Sequence, residues 1–192
     1  MMTNGHVFKR AGCAALLAGL LSTSAWAGTS AVVSVVSSPS PAQVGSPVAV
    51  DVVIAGVADL FAYQFSLAFN PAVLQVTGGS EGAFLPTAGA TLFDRGTVNN
   101  TLGTLTLAFG SLTGPVAGAN GGGVLARINF SVTRAGSSNL SFSDVLLLNS
   151  NLGTLTALVN NGVLTAVPEP ASYALFALGL AGLAAWRQRS AA

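Results

Sequence analysis

Residues 60–71 read Leu-Phe-Ala-Tyr-Gln-Phe-Ser-Leu-Ala-Phe-Asn-Pro, and the fold follows from how this segment is read. Phe61, Tyr63, Phe65, Leu67 and Phe69 alternate with Ala62, Gln64, Ser66 and Ala68. Successive side chains of a β-strand point to opposite faces, so the large apolar groups share one side and the small, uncharged ones the other. Burying each large group is worth about 1.5–3 kcal/mol, which makes this the strand a core forms around. Asn70-Pro71 ends it, because proline has no N–H for a ladder. A strand with one apolar face needs a second layer over that face, so the segment predicts two sheets packed together.

The flanking sequence repeats the pattern. Val32–Ser37 reads as a strand closed by Pro39 and Pro41, and Val48, Val50, Val52 and Ile54 alternate up to Gly56. Val73–Thr77 reads as a strand turning at Gly78-Gly79, and 82–100 as a long loop with one or two short strands. Leu105, Leu107 and Phe109 make the next inward series, and 110–123 reads as a glycine-rich connection. Val124, Ala126, Ile128, Phe130 and Val132 alternate with outward Leu125, Arg127, Asn129 and Ser131. Leu140–Ser143 is a short strand, and Asp144–Asn151 a connection. Asn160-Asn161-Gly162 predicts a tight hairpin between Leu155–Val159 and Val163–Ala166. About eight or nine short strands with no helix-period segment indicate one all-β sandwich over residues 28–166. At about 140 residues such a domain buries nearly 70% of its unfolded surface.

The two ends differ from this middle. The chain of 192 residues is 51% hydrophobic and 7% charged, against ~25% charged in an average soluble domain. Lys9-Arg10, the apolar run Ala11–Leu21 and the ending Ala25-Trp26-Ala27 make a secretory signal peptide over 1–27, cleaved after Ala27. Its run of about eleven apolar residues is too short to span a bilayer. At the other end, Val167-Pro168-Glu169-Pro170 precedes the apolar run Tyr173–Trp186 and then Arg187-Gln188-Arg189. As a helix, 171–186 measures about 24 Å against a ~30 Å hydrocarbon core, with interfacial aromatics at its ends. Arg187 and Arg189 stand as the membrane stop, so a transmembrane helix over the last segment, 167–192, is expected.

Composition excludes several functions. The single cysteine, Cys13, and the single histidine, His6, both fall in the signal peptide. The exported chain therefore lacks a disulfide framework, thiolate or imidazole metal ligands, and any Ser-His-Asp or Cys-His machinery. Asp51, Asp59, Glu81, Asp94 and Asp144 are scattered, with no pair at glycosidase spacing and no calcium-loop motif. No catalysis, cofactor or metal is expected. Arg95, Arg127 and Arg134 form no basic patch, which excludes nucleic acid. What remains is a binding face: Ala62, Gln64 and Ser66 with Leu125, Arg127 and Asn129, flat and uncharged apart from Arg127, with Gln64 and Arg127 as hydrogen-bonding anchors for a protein partner. The alternative is polysaccharide binding, for which the exposed rings would have to be Phe84 and Phe93, Tyr63 facing inward.

Two resemblances join these readings. The tail VPEPASYALFALGLAGLAAWRQR closely resembles the PEP-CTERM sorting signal, with Pro168-Glu169-Pro170, a short apolar helix and a basic end in order. That resemblance implies recognition by an exosortase, an integral membrane peptidase cutting near the motif. It further implies inner-membrane anchoring before processing, and then a place at the cell surface or in an exopolysaccharide matrix. The middle resembles a cohesin, a nine-strand jelly-roll related to carbohydrate-binding modules. Val44-Gly45 with Val48–Ile54, Gly56-Val57, the ending Phe69-Asn70-Pro71, Gly123-Val124-Leu125-Ala126-Arg127-Ile128, Leu140-Ser141-Phe142 and Asn161-Gly162-Val163-Leu164 carry it. The resemblance implies a docking module for dockerin-like proteins, using the strand equivalent to 60–69. The chain departs from that pattern where Ala62, Gln64 and Ser66 offer few directional contacts and Asn70 replaces the usual aspartate.

Overall fold

A computed structural model describes residues 30–169 and 172–189; the expected signal peptide, with Ala25 and Ala27, and Pro170 of the tail motif lie outside them. Twelve strands follow one another: β1 Ala31–Ser38, β2 Ala42–Gln43, β3 Pro47–Leu60, β4 Ala62–Ala68, β5 Leu74–Glu81, β6 Thr91–Asp94, β7 Thr97–Asn99, β8 Thr104–Leu112, β9 Ala119–Val132, β10 Gly136–Leu148, β11 Ala157–Asn160 and β12 Gly162–Val167. The first sheet runs β11-β1-β3-β9-β5, and the second runs β2-β12-β10-β4-β8-β6 with β7 also beside β8. Helix α1 spans Ser172–Arg189. The expected all-β sandwich is the observed architecture, with more strands than the pattern suggested and several of them longer, β3 and β9 reaching 14 residues each.

β4 occupies the middle of the second sheet and sends Tyr63, Phe65 and Leu67 into the core, with buried Phe69 just past its end. They meet Val48, Val50, Val52 and Ile54 of β3 and Ile128, Phe130 and Val132 of β9, all buried. Phe69 lies edge-on to Phe130 at 5.2 Å, and Phe65 edge-on to Phe142 at 5.8 Å, geometries favoured by the ring quadrupoles. Phe61 is only half-buried and sits between β3 and β4, where the chain passes from one sheet to the other. Asn70 does end the segment: its side-chain oxygen accepts from the Ala72 N–H at 3.0 Å, forming a turn that Pro71 favours.

Bulges account for most departures from simple alternation. In β8, Leu105 and Ala108 are buried while Leu107 is exposed, contrary to the inward Leu105-Leu107-Phe109 series. Phe65 pairs with Ala108 and Leu67 with Leu105, so Ser66 faces both Thr106 and Leu107. The extra residue reverses the parity of everything after it. In β9, Val52 pairs with Ala126 and Val53 with Val124, leaving Leu125 unpaired and turned inward, buried instead of outward. β5 continues through Gly78-Gly79, with a register shift between Val76 and Gly78, in place of the expected turn. β10 likewise runs through Asp144, and β8 and β9 absorb much of the glycine-rich 110–123.

The hairpin expected at Asn160–Gly162 is not formed. β11 pairs in parallel with β1 in the first sheet, whereas β12 pairs with β10 and β2 in the second. Asn161 sits at the crossing, its side-chain oxygen accepting from the Phe142 N–H at 2.9 Å. The tail also needs correction. α1 exists, yet among the described residues no helix is long and apolar enough to cross a membrane. Its 18 residues rise about 27 Å, and that length includes the polar end at Arg187–Arg189, so the apolar part falls short of a ~30 Å core.

Candidate functional site

The residues expected to share a binding face do not share one. Ala62, Gln64 and Ser66 belong to β4 in the second sheet, and Leu125, Arg127 and Asn129 to β9 in the first. Each strand turns its apolar side toward the core between the sheets, so their outward residues lie on opposite surfaces of the sandwich. Leu125 leaves the surface altogether, through its bulge. Ser66 is also buried, at 4% exposure. The two strands are instead tied through the core, where the Tyr63 hydroxyl donates to the carbonyl of bulged Leu125 at 2.6 Å.

The outer face of the second sheet is the more distinctive of the two. Its register aligns Leu148, Ala62, Ser111 and Leu92 in one cross-strand row and Leu146, Gln64, Phe109 and Asp94 in the next. A third row sets Ser143 beside Ser66 and the Thr106–Leu107 bulge, and a fourth aligns Ser141, Ala68, Thr104 and Asn99. Leu92, Leu107 and Leu146 are exposed by 58%, 53% and 39%, which makes the face apolar where the strand alone reads as bland. Between Leu146 and Phe109 lies a shallow concavity of about 150 Å³, floored by Ala62 and Gln64 and closed by Ser111 and Leu148. β4 is thus the floor of a trough whose walls come from β10 and β8.

Sequence reasoning missed Leu92, Leu107, Phe109 and Leu146. One signal was present. Gly110 pairs with Tyr63, and a Cβ at Gly110 would lie 2.6 Å from the Tyr63 ring. A glycine facing a large ring implies that residue 110 points inward, and hence that Phe109 points out.

The first sheet's outer face carries one ion pair. Arg127 Nε and Nη2 donate to the two oxygens of Asp51 at 2.6 and 2.8 Å, from directly opposed positions on β9 and β3. This bond first, and the Asp51 charge second, hold the guanidinium above its ordinary pKa. Arg127 is therefore engaged within its own sheet and is not a free anchor. Asn129 is half-buried beside it, its carbonyl accepting from Thr77 Oγ1.

The remaining polar groups perform structural tasks. Asp59 accepts from Ser150 Oγ at 2.8 Å and from the Gly118 N–H at 2.8 Å, and the serine bond leads in lowering its pKa. Glu81 accepts from Thr91 Oγ1 at 2.8 Å, while its other oxygen is buried without a partner among the described residues. Burial first, then the Glu81 charge, push the Tyr63 phenol well above its ordinary range. Among the described residues no group of three or more His, Cys, Asp or Glu is placed to hold a metal ion. Phe84 is buried and Phe93 packs on the core, so neither offers the exposed ring that stacking on a sugar requires. In the tail, Val167 closes β12, Pro168, Glu169 and Arg187 are exposed, and Arg189 ends α1.

Comparison with known proteins accords with this architecture. The Cohesin domain family model matches residues 32–165, and that of the PEP-CTERM protein-sorting motif matches 166–190. No curated protein sequence matches the chain. The second type II cohesin module of the adaptor ScaA scaffoldin of Acetivibrio cellulolyticus superposes with a TM-score of 0.60 at 17% identity, covering 75% of this chain and 94% of that one. A non-cellulosomal cohesin from the hyperthermophilic archaeon Archaeoglobus fulgidus gives 0.57 at 19% identity, covering 76% and 96%. The sixth cohesin of Acetivibrio cellulolyticus scaffoldin B, solved in complex with a Cel5 dockerin mutant, gives 0.56 at 21%, covering 72% and 100%. At these identities the likeness is one of fold.

Proposed function

The chain belongs to the cohesin domain family, and from that premise we propose that it works as an exported, non-catalytic docking module whose working surface is the outer face of the second sheet. The observation that carries this reading is the group of exposed leucines, Leu92, Leu107 and Leu146, set around half-buried Phe109 on one face of the second sheet. Leucines left in water together on one sheet face mark a contact surface more often than scattered single ones do. The solved relative held by a dockerin supports a protein partner. Gln64 supplies directional hydrogen bonds at the middle of the face and Asp94 at its β6 edge.

Three segments divide the work: 1–27 for export, 28–166 for docking and 167–192 for sorting. In this reading an exosortase-type peptidase recognises Val167-Pro168-Glu169-Pro170 and the helix with its basic end, and the product resides at the cell surface or in the extracellular matrix. The sorting-motif match over 166–190 supports this.

The test is capture from the source organism's secreted fraction by the full chain and two variants. Leu146→Asp places a charge on the proposed face, and Arg127→Gln alters the opposite one. Capture of a defined protein that Leu146→Asp abolishes and Arg127→Gln preserves is the expected result. The reverse sensitivity would move docking to the first sheet, and retention of polysaccharide without protein would replace it with sugar binding.

A further inference from the structure

We infer that β11 is a pairing edge for a second copy of this chain, the two β11 strands running antiparallel with Leu158 of one copy against Leu158 of the other. β11 ends the first sheet, and its ladder is the parallel one with β1. Beyond that ladder, among the described residues, no strand or turn bonds the backbone of residues 157–160. A strand so placed presents a row of unpaired N–H and C=O groups, the template on which another strand adds. Side-chain exposure marks the same opening. Val159 aligns with buried Val33, yet is itself 40% exposed, because it lies on the last strand of the sheet.

The other edges are blunted. On β5 the Asn100 side chain takes the place of a neighbouring strand, accepting from the Val76 N–H at 2.8 Å and donating to the Val76 carbonyl at 3.0 Å. β2 has two residues and directly follows Pro41, β7 has three residues, and β6 ends on exposed Asp94. Shortness, proline and charge are the usual guards against edge-to-edge pairing. β11 is short as well, at four residues, but carries neither proline nor charge.

Charge selects a second copy as the occupant. No Asp, Glu, Lys, Arg or His occurs in 28–50 or in 145–168, so β1, β2, β11 and β12 are all uncharged. A charged surface repels its own copy, whereas this side of the sandwich meets itself with no like charges opposed. It is also apolar, with Val36, Leu158 and Val163 exposed by 54%, 61% and 62%. Leu158 aligns with Val32 on the outer face of the first sheet. A two-fold axis perpendicular to that sheet returns outward residues to the outward face, so Leu158 meets Leu158 and the two 5-stranded sheets become one. Both second sheets then lie on the same side, and on the docking reading above the pair is bivalent.

The experiment uses the full chain in a mild detergent that masks its apolar tail, with Cys13→Ser so that one introduced cysteine is the only thiol. Under mild oxidation Leu158→Cys should form a disulfide-linked dimer at least tenfold faster than Leu107→Cys, which is exposed on the second sheet. Leu158→Lys sets two cations face to face, and in sedimentation it should raise the dimer Kd at least tenfold with an unchanged melting temperature. In hydrogen exchange, amides within 157–160 should slow as wild-type concentration rises and should not do so in Leu158→Lys. Equal linkage through both cysteines means random or tail-driven collision and overturns the pairing. Association that Leu158→Lys leaves intact overturns it too, as does exchange in 157–160 that is indifferent to concentration.

Discussion

Asp59 shows how much a single carboxylate can hold at one corner of this sandwich. Its φ is +59°, and its N–H donates to Asn120 Oδ1 at 3.0 Å while its oxygens take the Ser150 hydroxyl and the Gly118 and Ser150 N–H groups. Those donors, Ser150 Oγ foremost, lower its pKa from 3.8. A folded-state pKa below the unfolded one contributes stability that is present above the unfolded value and is lost as pH falls through the folded value. The urea midpoint should therefore drop for the wild type below about pH 4, part of that drop coming from Asp59. Asp59→Asn keeps the left-handed backbone accessible but removes the charge. It should be less stable than wild type near neutrality, and the gap should narrow as pH falls below 3.8. A gap that stayed constant down to strongly acid pH would show that geometry, and not the charge, is what Ser150 and Gly118 read. At the same scale Asn70 is not a neutral replacement for aspartate. Its Nδ2 donates to the Ser137 carbonyl at 3.3 Å, which a carboxylate cannot do.

Among the elements, the bulges decide what the strands present. Alternation in 60–69 told correctly which side of β4 is buried, because that strand carries Tyr63, Phe65 and Leu67 without interruption. The same alternation failed for Leu107 and Leu125, because a bulge adds one residue and inverts the parity, and no property of those leucines records it. Only their partners do, as Gly110 does opposite Tyr63. The Asn-Gly signal at 161–162 was legible as a turn, but a turn does not say whether the chain returns to the same sheet. Gly82 gives an element-level test. A Cβ there would lie 2.1 Å from the Val124 carbonyl oxygen, where the Gly82 N–H bonds the carbonyl of bulged Leu125 at 2.8 Å. Gly82→Ala should push the end of β5 off β9 and cost about 2 kcal/mol or more. At Gly78 the nearest atom, Asn129 Nδ2, is 3.8 Å from the same built Cβ. Gly78→Ala should be neutral or stabilise by up to about 1 kcal/mol through the unfolded chain. Equal urea midpoints for the two variants would contradict this account of the β5–β9 junction.

At the level of the whole molecule, the sequence made the division into a sandwich and a tail legible, since composition changes sharply at Val167-Pro168. What it left open was how tightly the last strand belongs to the domain. β12 pairs with β10 from Gly136↔Ala166 to Leu140↔Gly162, and with β2 at Ala166↔Ala42 and Val167↔Gln43. It also buries Leu164 completely and Ala166 almost so, and the Val44 N–H donates to the Val167 carbonyl at 3.0 Å. Val167 is thus the last residue with strand partners, immediately before Pro168 removes a backbone donor. A cut anywhere after Pro168 would leave every strand pairing in place, which is what processing of a folded substrate requires. An exported chain ending at Pro168 should therefore unfold cooperatively within a few degrees of the full chain. One ending at Asn161 loses β12 and uncovers the core beside Leu140, and it should show no cooperative transition near that temperature. Calorimetry on the two truncations decides the matter. A strongly destabilised chain ending at Pro168 would mean that the tail is part of the fold and is not a detachable sorting segment.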